Sequence, residues 1–216
     1  MKVGTDGVLL GAWCPVSGYG VQVTDYRILD VGTGCGLIAR MLMQRCPEAL
    51  IDAIDIDPDA TEQAKENGVN AYCASLQEWQ GTYDLIVSNP PYFQNSLKNP
   101  DKGRQTARHT DTLSYEELVK HSARLLSKDG QLALILPAEA ETELCDIAAR
   151  YSLYCTHVTR VYSKENKKPK RVMMVFARIQ DIDRYSDKTQ TDSLVLEDEK
   201  GGRSRQYQEL CKEFYL

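Results

Sequence analysis

The segment Ser88-Asn89-Pro90-Pro91-Tyr92 holds the residues best suited to chemistry. Two successive prolines stiffen the backbone, remove two N–H donors and leave carbonyls pointing outward. The Asn89 side-chain oxygen and the Pro90 carbonyl can accept the two N–H groups of a planar amine. Tyr92 can stack on the ring that carries it. Such an amine is a poor nucleophile, because its lone pair is delocalised into the ring. Two acceptors hold it in line for attack and stabilise the positive charge that develops on nitrogen. Neither a metal nor a nucleophilic side chain is needed. The simpler alternative is a proline turn that merely ends a strand. A second segment upstream argues against it.

Val31-Gly32-Thr33-Gly34-Cys35-Gly36 stands where an apolar run at 27–31 gives way to helical spacing. Glycines there permit a tight turn and let the backbone approach a ligand closely. A dinucleotide fingerprint, G-x-G-x-x-G, would need glycine where Leu37 stands. The pattern is D-x-G-x-G-x-G from Asp30, and it resembles the S-adenosylmethionine (SAM) binding loop of class I methyltransferases. A strand–helix turn without a ligand is the alternative. Asp55, near the end of the next apolar run, offers a carboxylate to ribose hydroxyls. Asp57 competes for that role, but it also stands where it can cap the helix opened by Pro58. Beside such a loop, the segment 88–92 resembles the (D/N/S)-P-P-(Y/F/W) motif of methyltransferases that act on planar amino groups. The expected reaction is therefore methyl transfer to such an amine.

Alternating elements must bring the two segments together. Apolar runs at 27–31, 50–56, 69–73, 83–88 and 131–136 read as strands. Helical spacing covers 37–45, 58–66, 114–126 and 138–150. Ser114 with Glu117 three residues on forms a capping box. Strands buried on both faces and separated by helices predict an α/β, Rossmann-like fold with a mostly parallel sheet. Two strand-like runs, 156–162 and 171–179, flank a lysine-rich turn, so the sheet should end in an antiparallel hairpin. Residues 181–192 are polar and read as a loop, and 207–215 as a short helix. One domain over 1–216 is expected, with 1–26 as N-terminal helix and lead-in and 181–216 as a C-terminal extension.

Composition bounds the partners. The 216 residues are 42% hydrophobic and 26% charged, an ordinary balance for a globular protein in water. No apolar run approaches bilayer length, and residues 1–6 lack a signal-peptide layout, so a cytoplasmic location is expected. The 7 cysteines include no C-x-x-C pair, and the 3 histidines lie apart, so no metal is expected. The cysteines read as reduced thiols packed as small hydrophobes. Net charge is −5, yet two segments are basic. Arg160, Lys164, Lys167, Lys168, Lys170 and Arg171 face only Glu165, and Lys98, Lys102, Arg104 and Arg108 face only Asp101. The 164–171 turn, with Lys167, Lys168, Lys170 and Arg171, and the 98–108 stretch are expected to contact RNA phosphates, the latter at the pocket mouth because it follows Tyr92. Solvated surface charge is the alternative for each. Trp13 and Trp79 are assigned to packing, and His109 to a loop.

Four stretches carry a closer resemblance. They are Val3-Gly4-Thr5-Asp6-Gly7-Val8-Leu9-Leu10-Gly11-Ala12-Trp13, Leu29 to Leu37, Asn89 to Tyr92, and the closing Tyr207 to Leu216. Together they resemble the bacterial tRNA1(Val) (adenine-37-N6)-methyltransferases. The resemblance implies a seven-stranded class I fold and methyl transfer from SAM to an adenine of a valine tRNA. It places Asn89, Pro90, Pro91 and Tyr92 at the reacting amine. It places Gly4, Thr5, Asp6, Asp30, Gly32, Gly34, Gly36, Asp55, Ile56 and Ser75 around SAM. Ser75 stands where such enzymes often carry an Asp against the SAM adenine. Members of that family carry a segment ahead of the stretch with which this sequence opens. Alternatives stay open: another planar amine as target (an rRNA or DNA base, or a protein glutamine), or a non-catalytic SAM-binding module.

Overall fold

The computed structural model describes residues 4–16, 25–91, 113–178 and 189–214. Within them, strands β1 (Arg27–Val31), β2 (Leu50–Asp55), β3 (Ala71–Cys73), β4 (Tyr83–Ser88), β5 (Leu126–Pro137), β6 (Leu153–Tyr162), β7 (Arg171–Arg178) and β8 (Gln190–Val195) form one sheet. Its order is β3-β2-β1-β4-β5-β7-β6-β8. Strands β3 to β5 pair in parallel, while β7 runs antiparallel to both neighbours. The expected hairpin is thus β6–β7, and β6 points the same way as β5. The fold is the mostly parallel α/β sheet expected.

Helices cover both faces. On one side lie α1 (Thr5–Trp13), α2 (Leu37–Arg45), α3 (Pro58–Glu66) and α6 (Arg205–Cys211). On the other lie α4 (Tyr115–Leu125) and α5 (Glu141–Arg150), the latter preceded by a 3₁₀ turn at Ala138–Ala140. Alternate residues of one strand feed the two layers. Ile28 packs with α1 and α2, whereas Leu29 and Val31 pack with α4 and α5. The Ser114 and Glu117 capping box forms as expected, with Ser114 Oγ accepting from the Glu117 N–H at 3.2 Å and Glu117 accepting from the Ser114 N–H at 3.1 Å.

The seven-stranded expectation gains an eighth strand. Residues 190–192, expected in a loop, open β8, which lies parallel to β6 at the sheet edge. Its first four residues are exposed and polar, so no apolar alternation announced it. Residues 181–188 lie outside the described residues. Trp13 packs against His157 with ring centroids 4.9 Å apart and the rings tilted by 42°, and Trp79 donates to the Tyr83 hydroxyl at 2.8 Å. Both tryptophans thus pack. All seven cysteines are free thiols, of which Cys14 and Cys211 are buried and Cys73 is exposed. No helix among the described residues is long and apolar enough to cross a membrane.

Candidate active site

Strand order places the switch point between β1 and β4. The chain winds from β1 through β2 to β3 on one side, then returns to β4 and proceeds to β5 on the other. The helices following β1 and β4 consequently lie on opposite faces, leaving a crevice at the carboxyl ends of these two strands. The glycine loop leaves β1 there and the segment at 88–91 leaves β4.

The loop is built from left-handed glycines. Gly32, Gly34 and Gly36 have φ of 69°, 56° and 81°, values that side-chain-bearing residues rarely adopt. Gly32 and Thr33 donate to the Ile54 carbonyl at 2.8 and 3.0 Å, tying the turn to β2. The glycines differ in what surrounds them. Among the described residues, a Cβ on Gly32 would meet nothing within 4 Å, whereas one on Gly36 would sit 2.7 Å from Val69 Cγ2 and 3.2 Å from Ala64 Cβ. Gly32 therefore has no described neighbour on its Cβ side, and Gly36 lets the loop nest against the end of α3.

Two carboxylates brace this loop. Asp55 Oδ2 accepts from the Gly34 N–H at 2.9 Å, and its Oδ1 accepts from the Asp57 N–H at 3.0 Å. A carboxylate offers about four acceptor positions, so Asp55 keeps capacity for ligand hydroxyls. Asp57 is the N-cap of α3 and accepts from the Asp59 N–H at 2.9 Å. Asp30 is fully buried. Its Oδ2 accepts from Thr33 Oγ1 at 2.7 Å and from the Ala39 N–H of α2 at 3.2 Å, while Oδ1 has no partner among the described residues. Burial pushes its carboxyl up to about 6, against the pull of the Thr33 and Ala39 hydrogen bonds.

Ser88 carries no role in the sequence reading, yet it joins the two halves. It is buried, and its hydroxyl donates to the Val31 carbonyl at 2.8 Å. Asn89 follows, half-buried, with Pro90 buried and Pro91 exposed. The carboxyl end of β4 is thus fastened to the strand that carries the glycine loop. No short-range pattern could have revealed a bond across 57 positions.

The other expected residues are placed as follows. Gly4 and Thr5 are exposed at the start of α1, and Asp6 lies in its first turn. Ile56 is 52% exposed just beyond Asp55. Ser75 follows β3 with its hydroxyl turned to Glu78 Oε2 at 3.3 Å. Tyr92, Lys98, Lys102, Arg104, Arg108 and His109 lie outside the described residues. The β6–β7 turn lies at the same sheet edge, because β6 runs parallel to β5. There Lys167, Lys168 and Lys170 are exposed, and Lys164 pairs with Glu197 at 3.5 Å. Arg160 pairs with Glu141, and Arg171 with Asp6 at 2.9 Å. Among the described residues no group of three His, Cys, Asp or Glu could hold a metal ion.

Residues 20–147 match the family described as the methyltransferase small domain. The chain is 44% identical to a tRNA1(Val) (adenine(37)-N6)-methyltransferase of Parabacteroides distasonis. That alignment covers 100% of this chain and 91% of the relative. A protein of the same description from Phocaeicola vulgatus is 42% identical over 100% of this chain and 91% of its own length. Among solved structures, a predicted O-methyltransferase from Agrobacterium tumefaciens superposes with a TM-score of 0.69 at 13% identity. It covers 96% of this chain and 95% of the other, a likeness of fold alone.

Proposed function

Because the chain belongs to the tRNA1(Val) (adenine(37)-N6)-methyltransferase family, we infer that it transfers a methyl group from SAM to the N6 amine of adenine 37 in tRNA1(Val). SAM supplies, when bound, an electrophilic methyl carbon on a sulfonium that leaves as a neutral thioether.

The residues present fit a nucleoside with an amino-acid tail. Gly32 has no described neighbour on its Cβ side, in a conformation that keeps its backbone bare. The Asp55 carboxylate retains acceptor positions for ribose hydroxyls, and exposed Ile56 beside it offers an apolar surface to a base. Ser75 would meet the adenine edge, and Gly4, Thr5 and Asp6 the amino-acid end. Asp30, Gly34 and Gly36 hold the loop in shape from beneath.

At the amine, the Asn89 side-chain oxygen and the Pro90 carbonyl accept the two N–H groups. As the nitrogen bonds to carbon it gains positive charge, and two fixed acceptors stabilise that charge without reorganising. The prolines stiffen the segment, and Ser88 holds it beside the glycine loop. Tyr92 would stack on the adenine, drawn out of its own stack. Lys167, Lys168 and Lys170 on the β6–β7 turn, with Lys98, Lys102, Arg104 and Arg108 after Tyr92, would meet tRNA phosphates. A tRNA substrate puts the reaction in the cytoplasm.

The observation that carries this reading is the pairing of β1 with β4, which brings Gly32 and Asn89 to one edge. The test is incubation with isotope-labelled SAM and unmodified tRNA1(Val), followed by digestion and mass spectrometry of nucleosides. Labelled N6-methyladenosine that disappears with Asn89→Ala is expected. Label in another nucleoside, or label that persists in the variant, would refute it.

A further inference from the structure

We propose that Arg171 is a positioning residue that fixes Asp6, and with it the first turn of α1, as a wall of the SAM site. The sequence alone groups Arg171 with the basic turn that faces RNA. In the fold its Nε donates to Asp6 Oδ2 at 2.9 Å, across 165 positions of chain. Both side chains are largely withdrawn from water, with exposures of 30% and 23%. A guanidinium on a carboxylate in such surroundings is directional and is screened little by salt.

The anchoring at each end gives the contact its meaning. Arg171 opens β7 opposite Pro137, the last residue of β5, and its Nη1 donates to the Lys170 carbonyl at 2.9 Å. That same carbonyl accepts from the Ala138 N–H at 3.2 Å. Arg171 is therefore fixed to the ends of two strands. One residue after Asp6, Gly7 lies so close to α2 that a Cβ there would sit 3.0 Å from Leu37 Cδ2. Leu37 is the residue that follows the glycine loop. The first turn of α1 is thus held on one side by the start of α2, beyond β1, and on the other by the start of β7, beyond β5. Strand β4, ending in Ser88 and Asn89, lies between β1 and β5. Arg171 closes this arrangement by fixing the first turn of α1 on the β7 side. The lysines of the β6–β7 turn are left for phosphates, and Arg171 acts through Asp6.

This inference rests on the reading of Asp6 and Asp55 as SAM-site residues, and its test separates the two. Arg171→Ala, Arg171→Lys, Asp6→Asn and the double variant Asp6→Asn/Arg171→Ala would be assayed for S-adenosylhomocysteine affinity, kcat, and tRNA KM at several salt concentrations. The expected result is about tenfold weaker S-adenosylhomocysteine binding in either single variant. The double variant should be no weaker than the worse single one, Arg171→Lys should recover part of the loss, and the salt slope of tRNA KM should stay unchanged. Two results overturn the proposal: unchanged S-adenosylhomocysteine affinity with a salt slope reduced by about one, the mark of a phosphate contact, or losses that add in the double variant. Circular dichroism melts check folding. If Arg171→Ala does not fold, Arg171→Lys, which keeps charge but not the planar fork, carries the same comparison. Asp55→Ala serves as the control: S-adenosylhomocysteine binding that survives it would refute the site itself.

Discussion

The carboxylate of Asp55, at the end of β2, accepts a 2.9 Å hydrogen bond from the backbone N–H of Gly34, the middle glycine of the loop that leaves β1. One side chain thus shapes the loop and presents acceptor positions to whatever the loop holds. Asp55→Ala is expected to weaken S-adenosylhomocysteine binding by about ten- to a hundredfold, as removal of a hydrogen-bonded charged partner does. Isothermal calorimetry on the purified variant reads this directly. The melting temperature should also fall, since Gly34 is buried and loses its acceptor.

The glycines of the loop should separate by role. Gly36→Ala puts a methyl group against Val69 and Ala64 at a φ of 81°, so it should destabilise the fold by about 1–3 kcal/mol. Gly32→Ala meets nothing among the described residues at a φ of 69°, so its cost in stability should be about 1–2 kcal/mol from backbone strain. Its larger effect should be on SAM affinity. Denaturant melts set against binding isotherms distinguish the two patterns.

Asn89→Ala should lower kcat by about a hundredfold or more while S-adenosylhomocysteine affinity stays near that of the parent. An acceptor that acts on developing charge is felt in the transition state rather than in cofactor binding. Single-turnover methylation of tRNA1(Val) measures it. A proportional loss of cofactor affinity would show that Asn89 shapes the SAM pocket instead.

Asp30 predicts a dependence of stability on pH. Burial raises its carboxyl from an ordinary 3.8 to about 6. Between those values the folded protein keeps a proton that the unfolded chain has released, so this group's contribution to stability falls as pH rises across the window. Below about 4 both states are protonated and the penalty vanishes. Above about 6 the penalty is full, on the order of 2–3 kcal/mol. Asp30→Asn should therefore gain stability relative to the parent as pH rises from about 4 to about 7. Urea melts at those two pH values test the sign.

Replacing Lys167, Lys168 and Lys170 together by Gln should raise the KM for tRNA and make it less dependent on salt. The log–log slope should fall by about 0.7–0.9 for each phosphate that is no longer neutralised. These side chains are exposed on the β6–β7 turn, away from the strands that carry Gly32 and Asn89, so kcat at saturating tRNA should hold. A slope that does not move would assign this turn to solvent.

What the sequence determined by itself was local. Left-handed glycines after an apolar run, prolines that stiffen a backbone after Asn89, and a Ser114 that caps a helix with Glu117 three residues on are set by sterics and by bonds between near neighbours. The alternation of apolar strands and helices likewise determined the layered parallel sheet, because each element must bury one face or two. Only the tertiary structure decided which groups meet across the chain. It set Ser88 on the Val31 carbonyl and turned Asp30 under the N-terminus of α2. It paired Arg171 with Asp6 across 165 positions, and it added β8, whose exposed polar residues carry no apolar period. The reason is that strand register and helix packing bring together residues dozens of positions apart, and neither Ser88 nor Arg171 is surrounded in sequence by anything that names its partner.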